Sequence, residues 1–225
     1  MEHITKLDNK ILGLKNLAQY ANKTSKQVLE PYNHIINNTT INKQQLFRNL
    51  LLNKTTAEEN DYINEACNLP HKDNRTPTEY ATELVITWLL EDITSQILTD
   101  NQIRNRINGA DKERNFLPPH QIDEQTDLQI KQNGETRNLE TIYDHTGHWD
   151  RTQQIDLRLN KHNNLKKQDA LLLGINPRAL TAVLIDYRNP IDSHQRENPT
   201  YGKVVNTIAI TRQIKPLQEI IQQLK

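Results

Sequence analysis

TDLQIKQNGETRNLETIYD, residues 126–144, reads as a β-hairpin with a carboxylate at each end. Asn133-Gly134 is the strongest short hairpin signal a sequence carries, because both central residues of a type I′ turn need φ > 0. Leu128, Ile130, Leu139 and Ile142 supply apolar positions on either side of that turn. Asp127 opens the first strand and Glu140 lies within the second. Two carboxylates on adjacent strands can converge on one divalent cation, which is the smallest arrangement that supports metal-assisted phosphodiester hydrolysis.

Upstream of the hairpin, Thr76-Pro77-Thr78-Glu79 is a complete helix start, with Thr at the N-cap, Pro at N1 and Glu at N3. Ala81, Leu84, Val85, Trp88, Leu89, Ile93 and Ile97 continue it as one apolar stripe, with Glu83 beside the stripe. Residues 108–119, NGADKERNFLPP, read as irregular. Downstream, residues 154–167 are predicted to be a polar helix carried by Ile155, Leu157, Leu159 and Leu165. ALLLGI (170–175) and LTAVLID (180–186) are short apolar runs bounded by Asn-Pro and read as buried strands. VVNTIAI (204–210) is a further strand candidate, and residues 216–224 a closing helix.

The first seventy residues are predicted to be helical. Ile4, Leu7, Ile11, Leu14, Leu17 and Ala18 keep helical spacing, residues 40–52 form a second amphipathic run, and Thr56 with Glu59 is a capping-box spacing. Pro70 and the polar run after it mark a boundary. The expected organisation is an N-terminal helical region (1–72) and an α/β part (76–225), as two units or one continuous domain, in which helices cover a mixed sheet.

The 225 residues carry 28 Lys and Arg against 28 Asp and Glu, and 35% are hydrophobic. Mean hydropathy is −0.82. Low hydropathy without net charge, and with patterned apolar residues, argues against wholesale disorder. Zero net charge argues against an all-over basic nucleic-acid coat, yet it is compatible with basic groups confined to one cleft. Cys67 is the only cysteine, so an internal disulfide and a cysteine zinc cluster are excluded and a reducing cytoplasm is the expected setting. No apolar run approaches the ~20 residues needed to span a membrane, and MEHITKLDNK lacks the apolar core of a signal peptide.

A long helix, an Asp at a strand start, a Glu on the next strand, then a helix and buried strands resembles the PD-(D/E)XK nucleases, a superfamily that includes many type II restriction endonucleases. The likeness covers roughly residues 76–186. It implies an αβββαβ restriction-endonuclease-like core whose sheet presents Asp, Glu and Lys to Mg²⁺ and the scissile phosphate. Asp127 matches the family's Asp, with Thr126 where Pro is common, and Glu140 matches the second acid. Ile142 stands where the Lys belongs, two residues on and on the same strand face. That Lys orients or activates the attacking water or stabilises transition-state charge, and isoleucine does neither. Three readings follow: the basic role has moved to Lys131 on the partner strand or to Lys161, Lys166 or Lys167 on the next helix; the site works without it; or the chain binds without cutting. Glu83 resembles the helix-borne outer metal ligand of some members, and Asp111 rivals Asp127.

Residues 143–151, YDHTGHWDR, place His145, His148, Trp149 and Arg151 directly after the second acid, where a nuclease loop would pass near DNA. His145 and His148 also have metal-like spacing with Asp144 or Asp150, but a closed zinc site needs ligands the sequence does not supply. Asp144-His145 with Asn160 and His162 is too tightly spaced for an HNH nuclease. Arg158, Lys161, His162, Lys166 and Lys167 make the next segment basic, as phosphate contacts or as a solvated face. Residues 186–195, DYRNPIDSHQ, form a polar loop that can add base contacts, and Ser193-His194 has no nucleophile elbow around it. Phosphate-loop and dinucleotide-binding glycine motifs are absent. The expectation is therefore a Mg²⁺-dependent endonuclease acting on double-stranded DNA, a homodimer if its target is palindromic, with the N-terminal helices dimerising or clamping DNA. The alternative is a non-catalytic DNA- or protein-binding module with the same fold.

Overall fold

The computed structural model describes residues 2–36, 39–67, 75–109, 111–116, 125–198 and 203–225, with side chains from residue 6 onward. Asn133 at φ 51° and Gly134 at φ 84° make the left-handed pair that a tight hairpin requires, and they join β2 (Leu128–Gln132) to β3 (Glu135–Tyr143). The register runs from Gln132↔Glu135 to Leu128↔Leu139. A third antiparallel strand, β1 (Asn105–Ile107), pairs with β2. It falls just ahead of the stretch expected to be irregular, of which residues 110 and 117–119 lie outside the described residues.

β3 then crosses over to β5 (Leu171–Asn176), the one parallel pair among the described strands. β6 (Thr181–Asp186) and the two-residue β9 (Lys215–Pro216) complete a six-stranded mixed sheet of order β1-β2-β3-β5-β6-β9. β5 lies centrally with every residue buried, which is why its sequence is an apolar run rather than an alternation.

The segment 154–167 is not one helix. Gln154–Arg158 is strand β4, and only Leu159–Lys167 is helical, as α7. Ile155 and Leu157 sit two residues apart, as a half-buried strand needs, and tertiary pairing decides the matter. β4 pairs with β8 (Lys203–Ala209), which pairs with β7 (Ser193–Asn198), giving a separate antiparallel sheet of order β4-β8-β7.

Helices cover the large sheet. On one face lie α1 (Glu2–Tyr20), α2 (Ser25–Leu29), α3 (Lys43–Leu51), α4 (Ala57–Cys67), α5 (Pro77–Asp100) and the C-terminal α8 (Leu217–Gln223). One apolar core joins Leu17, Phe47, Ile63, Trp88 and Ile220 of these helices to the sheet residues Leu128, Ile130, Leu139 and Leu173. On the other face, Leu165 of α7 meets Leu172, Val183, Ile155, Leu157 and Ile208 in a second core. Both expected capping boxes form: Thr76 with Glu79 starts α5, and Thr56 with Glu59 starts α4. The expected break at Pro70 lies outside the described residues, as do its neighbours from 68 to 74.

α1 approaches the end of the sheet closely at Gly13, where an added Cβ would stand 2.8 Å from Pro177 Cγ and 3.2 Å from His145 Nδ1. In a free helix Ala outranks Gly by about 1 kcal/mol. Here the contact reverses that preference, because Pro177 is a rigid ring. Gly13→Ala is expected to destabilise the protein by about 1–3 kcal/mol in urea unfolding, the usual cost of overpacking. A stabilised variant would show that α1 does not seat on Pro177.

Candidate active site

The hairpin register sets the site. One step beyond the Leu128↔Leu139 pair, Asp127 comes opposite Glu140 at the mouth of the β2–β3 ladder. Asp127 is fixed there from the far strand: its Oδ2 accepts from the Thr141 backbone N at 2.8 Å and from Thr141 Oγ1 at 2.7 Å. Its own carbonyl accepts from Asn108 N at 2.8 Å, tying the loop after β1 to the same spot. Glu140, 5% exposed, shares a carboxyl–carboxyl hydrogen bond with Asp127 and an ion pair with Lys161 of α7. Burial and the neighbouring Asp127 push the Glu140 carboxyl up to about 8, against the pull of Lys161. Lys161 lines a cavity with its side chain partly exposed while its ammonium sits against Glu140.

That cavity, about 290 Å³, lies between α5, residues Gly109, Asp111 and Asn115, the hairpin acids and α7. Besides Asp127, Glu140 and Lys161, its polar lining includes Asp111, Asn115, Asn160, Asn164 and Arg158. Asp111 accepts a hydrogen bond from the Trp88 indole. It therefore belongs to the wall of the same cavity without replacing Asp127 on the strand.

Ile142 is filled space. It pairs with Gly174 across the parallel β3–β5 contact, and with Trp149 it packs against the second core. A Cβ on Gly174 would lie 2.9 Å from Trp149, so the indole rests directly on the glycine. Ile142 is thus a packing residue at the edge of the second core, whereas Lys161 reaches Glu140 from α7.

Glu83 is elsewhere. It pairs with Lys10 at 2.6 Å and Arg75 at 2.6 Å, tying α5 to α1. Burial works against its charge, but the two cations outweigh it and hold the carboxyl below its ordinary range. The helix-borne acid nearest the site in electrostatic terms is Glu91, about two turns further along α5 and 5% exposed. Burial and Asp127 raise Glu91 well above the usual carboxylate range, while Arg114 at 2.7 Å opposes the rise. Arg114, itself 4% exposed, also holds Asp92 at 2.6 Å. The signal for Glu91 is in the sequence: it falls three residues after Trp88, on the helix face that buries the apolar stripe.

Lys131 is exposed on β2 and outside the cavity lining, and Lys166 and Lys167 are exposed in the last turn of α7. The 143–151 stretch is organised as a structural turn. Asp144 accepts from Thr146 N at 2.9 Å and Trp149 N at 2.8 Å, capping the short helix α6 (His148–Thr152). Arg151 is exposed and donates to the Thr146 carbonyl at 2.7 Å, and His148 is half-buried. His145 turns inward against α1: its Nδ1 is buried without a hydrogen-bond partner among the described residues, and burial pushes the imidazole down to about 4.

Among the described residues, no group of three or more His, Cys, Asp or Glu side chains is arranged to hold a metal ion. Mg²⁺ does not need such a cage, since it keeps several waters and binds through one or two carboxylates plus a substrate phosphate. Asp127 and Glu140 fit that requirement: they are two neighbouring carboxyls on the wall of the cavity, and burial raises the Glu140 carboxyl to about 8. No protein-family model matches this sequence, and none of the curated proteins compared with it is detectably similar. No helix among the described residues is long and apolar enough to cross a membrane.

The sign of the pH effect follows from Glu140. Its folded-state value of about 8 lies above its ordinary 4.5. The stability it contributes is thus complete below about pH 4.5 and is lost as pH rises through about 8. Without divalent cations, Glu140→Gln is expected to flatten the fall in melting temperature across that window. Parallel pH–stability curves for parent and variant would contradict the buried, proton-holding carboxyl.

Proposed function

We propose that this chain is a divalent-cation-dependent endonuclease of the PD-(D/E)XK kind, cutting phosphodiester bonds in double-stranded DNA, with Asp127, Glu140 and Lys161 as its site. The observation that carries this reading is the meeting of three side chains from three elements. Asp127 ahead of β2 and Glu140 on β3 touch, and α7, the crossover helix to β5, delivers Lys161 to them.

Asp127 and Glu140 would hold a Mg²⁺ ion. Once bound, such an ion lowers the pKa of an attacking water and neutralises charge developing on the phosphate. Glu140 gives up its proton as its carboxylate is engaged. Thr141 keeps Asp127 oriented through two hydrogen bonds, so the acid does not have to reorganise during the reaction. Lys161 takes the part of the motif lysine: partly exposed at the cavity, its ammonium can face both the acids and a phosphate oxygen. Asn115, Asn160 and Asn164 on the cavity wall offer neutral donors to the sugar-phosphate backbone. A palindromic target would bring two copies together about a two-fold axis.

The test is cleavage of supercoiled plasmid with Mg²⁺ or Mn²⁺. The parent is expected to cut, and Asp127→Asn or Glu140→Gln to abolish cutting. Lys161→Met should slow it by roughly 10²–10³-fold, the usual cost of removing one charge-stabilising donor. Ile142→Lys is expected to bring no gain and to lower stability. Cutting that survives Glu140→Gln would overturn this site. A parent that binds duplex but never cuts it would favour the non-catalytic module.

A further inference from the structure

Helices α1, α2, α3 and α5 border a second cavity, a groove of about 390 Å³ that shares no lining residue with the acid cavity. Its walls follow from helical spacing. Leu14 and Ala18 lie four residues apart on one face of α1, and Leu51 and Leu52 end α3. Leu29 of α2 and the fully buried Leu89 of α5 complete an apolar trough.

The rim of this trough is basic. Lys15 follows Leu14 on α1, Lys26 belongs to α2, and Arg48 lies one turn before Leu51 and Leu52. All three line the groove and are exposed. None has a side-chain hydrogen bond or ion pair among the described residues. Long basic side chains lay their methylene stems along apolar surface and keep the charge in water, which suits this position. No acidic residue belongs to the lining among the described residues. The whole chain balances 28 basic against 28 acidic residues, so three cations without an acid are a local surplus.

Apolar walls with a positive rim complement a molecule that has an aliphatic chain and an anionic end. Ligand pockets run from about 300 to 1,000 Å³, and a groove near the lower end suits one chain rather than two. A protein partner would need a broad face, roughly 800 Å². Among the described residues the large apolar side chains left exposed are Leu12, Ile35, Leu52 and Val204, and of these Leu52 alone lines the groove. The rim offers solvated charges rather than a guanidinium fork fixed for bidentate contact, which suits a single small anionic group such as a carboxylate.

We infer that this groove binds a single-chain aliphatic carboxylate of the fatty-acid class. Its chain lies along Leu14, Leu29 and Leu51, and its head group meets Lys15, Lys26 and Arg48 at the rim. This site is separate from the acid cavity and stands whether or not the chain cuts DNA.

The experiment is calorimetric titration of the full chain with decanoate below its micelle-forming concentration, beside octanoate, decanol and decyltrimethylammonium. The parent is expected to bind one decanoate. Affinity should rise roughly fourfold per methylene from octanoate to decanoate, as burial of each group requires. Decyltrimethylammonium, of the same chain length and opposite charge, should bind roughly tenfold more weakly. Lys26→Glu combined with Arg48→Glu should weaken decanoate by roughly tenfold and leave decanol unchanged. Leu52→Gln should weaken decanoate and decanol alike, by roughly threefold to tenfold, through the lost apolar wall. Leu52 is 57% exposed, so that variant keeps the test open if the double charge reversal is unstable, and thermal melts check both. Glu140→Gln should bind decanoate like the parent, because the two cavities share no residue. Uptake of several decanoates without a one-to-one end point would overturn the inference. So would equal affinity for decyltrimethylammonium, or decanoate affinity unchanged in both groove variants. Absence of decanoate binding would overturn it too, and duplex binding weakened by the charge reversals would then assign the rim cations to phosphate contact.

Discussion

Two carboxyls that touch in a buried place repel each other, and much of this protein's architecture manages that repulsion. Asp127 and Glu140 share a proton-mediated contact, Lys161 pairs with Glu140, and Arg114 compensates Glu91 one layer behind. Each compensating cation comes from a different part of the chain: α7 for Lys161, and the segment after β1 for Arg114. Folding thus brings distant elements together around partly desolvated charge, an arrangement more costly than an apolar core of the same size. Perturbed carboxylates occur both at functional sites and in purely structural ion-pair networks, and the first of these is what the proposed function takes up.

The geometry depends on register. Asn133-Gly134 closes a two-residue turn, and the turn fixes which residues face each other at the far end of the ladder. A slip of one residue would send Glu140 to the α5 face and bury Leu139 among polar groups. The parallel β3–β5 contact adds the second constraint. Parallel strands require a crossover, and here that crossover contains both the small sheet's first strand and α7. The cavity's basic side chain and the outer sheet are consequently attached to the same short connection.

What is legible in the sequence is local. The Asn-Gly turn, the two capping boxes and the apolar run of β5 each rest on neighbours in the chain, and each can be read without the fold. Lys161 stands out as a candidate because it follows the hairpin at helix distance, but nothing local separates it from Lys166 or Lys167. The segment 154–167 misleads because its leucines and isoleucine suit both periods, and only pairing with β8, far along the chain, makes Gln154–Arg158 a strand. Glu83 draws attention by lying beside the apolar stripe, yet Lys10 from α1 claims it. Glu91 shows in the sequence only as an acid on the buried stripe, and its pairing with Arg114 shows only in space. Ile142 is a packing residue, with Trp149 resting on Gly174 beside it.

An acid pair that holds a proton until a divalent cation takes it over must release that proton on binding. Titration calorimetry with Mg²⁺ or Mn²⁺ at pH 7, repeated in buffers of different ionisation enthalpy, measures the protons released. With Glu140 raised to about 8, the parent is expected to release close to one proton per bound cation, and Glu140→Gln none. Cation binding without proton release, or equal release from parent and Glu140→Gln, would contradict a cation site built on Asp127 and Glu140.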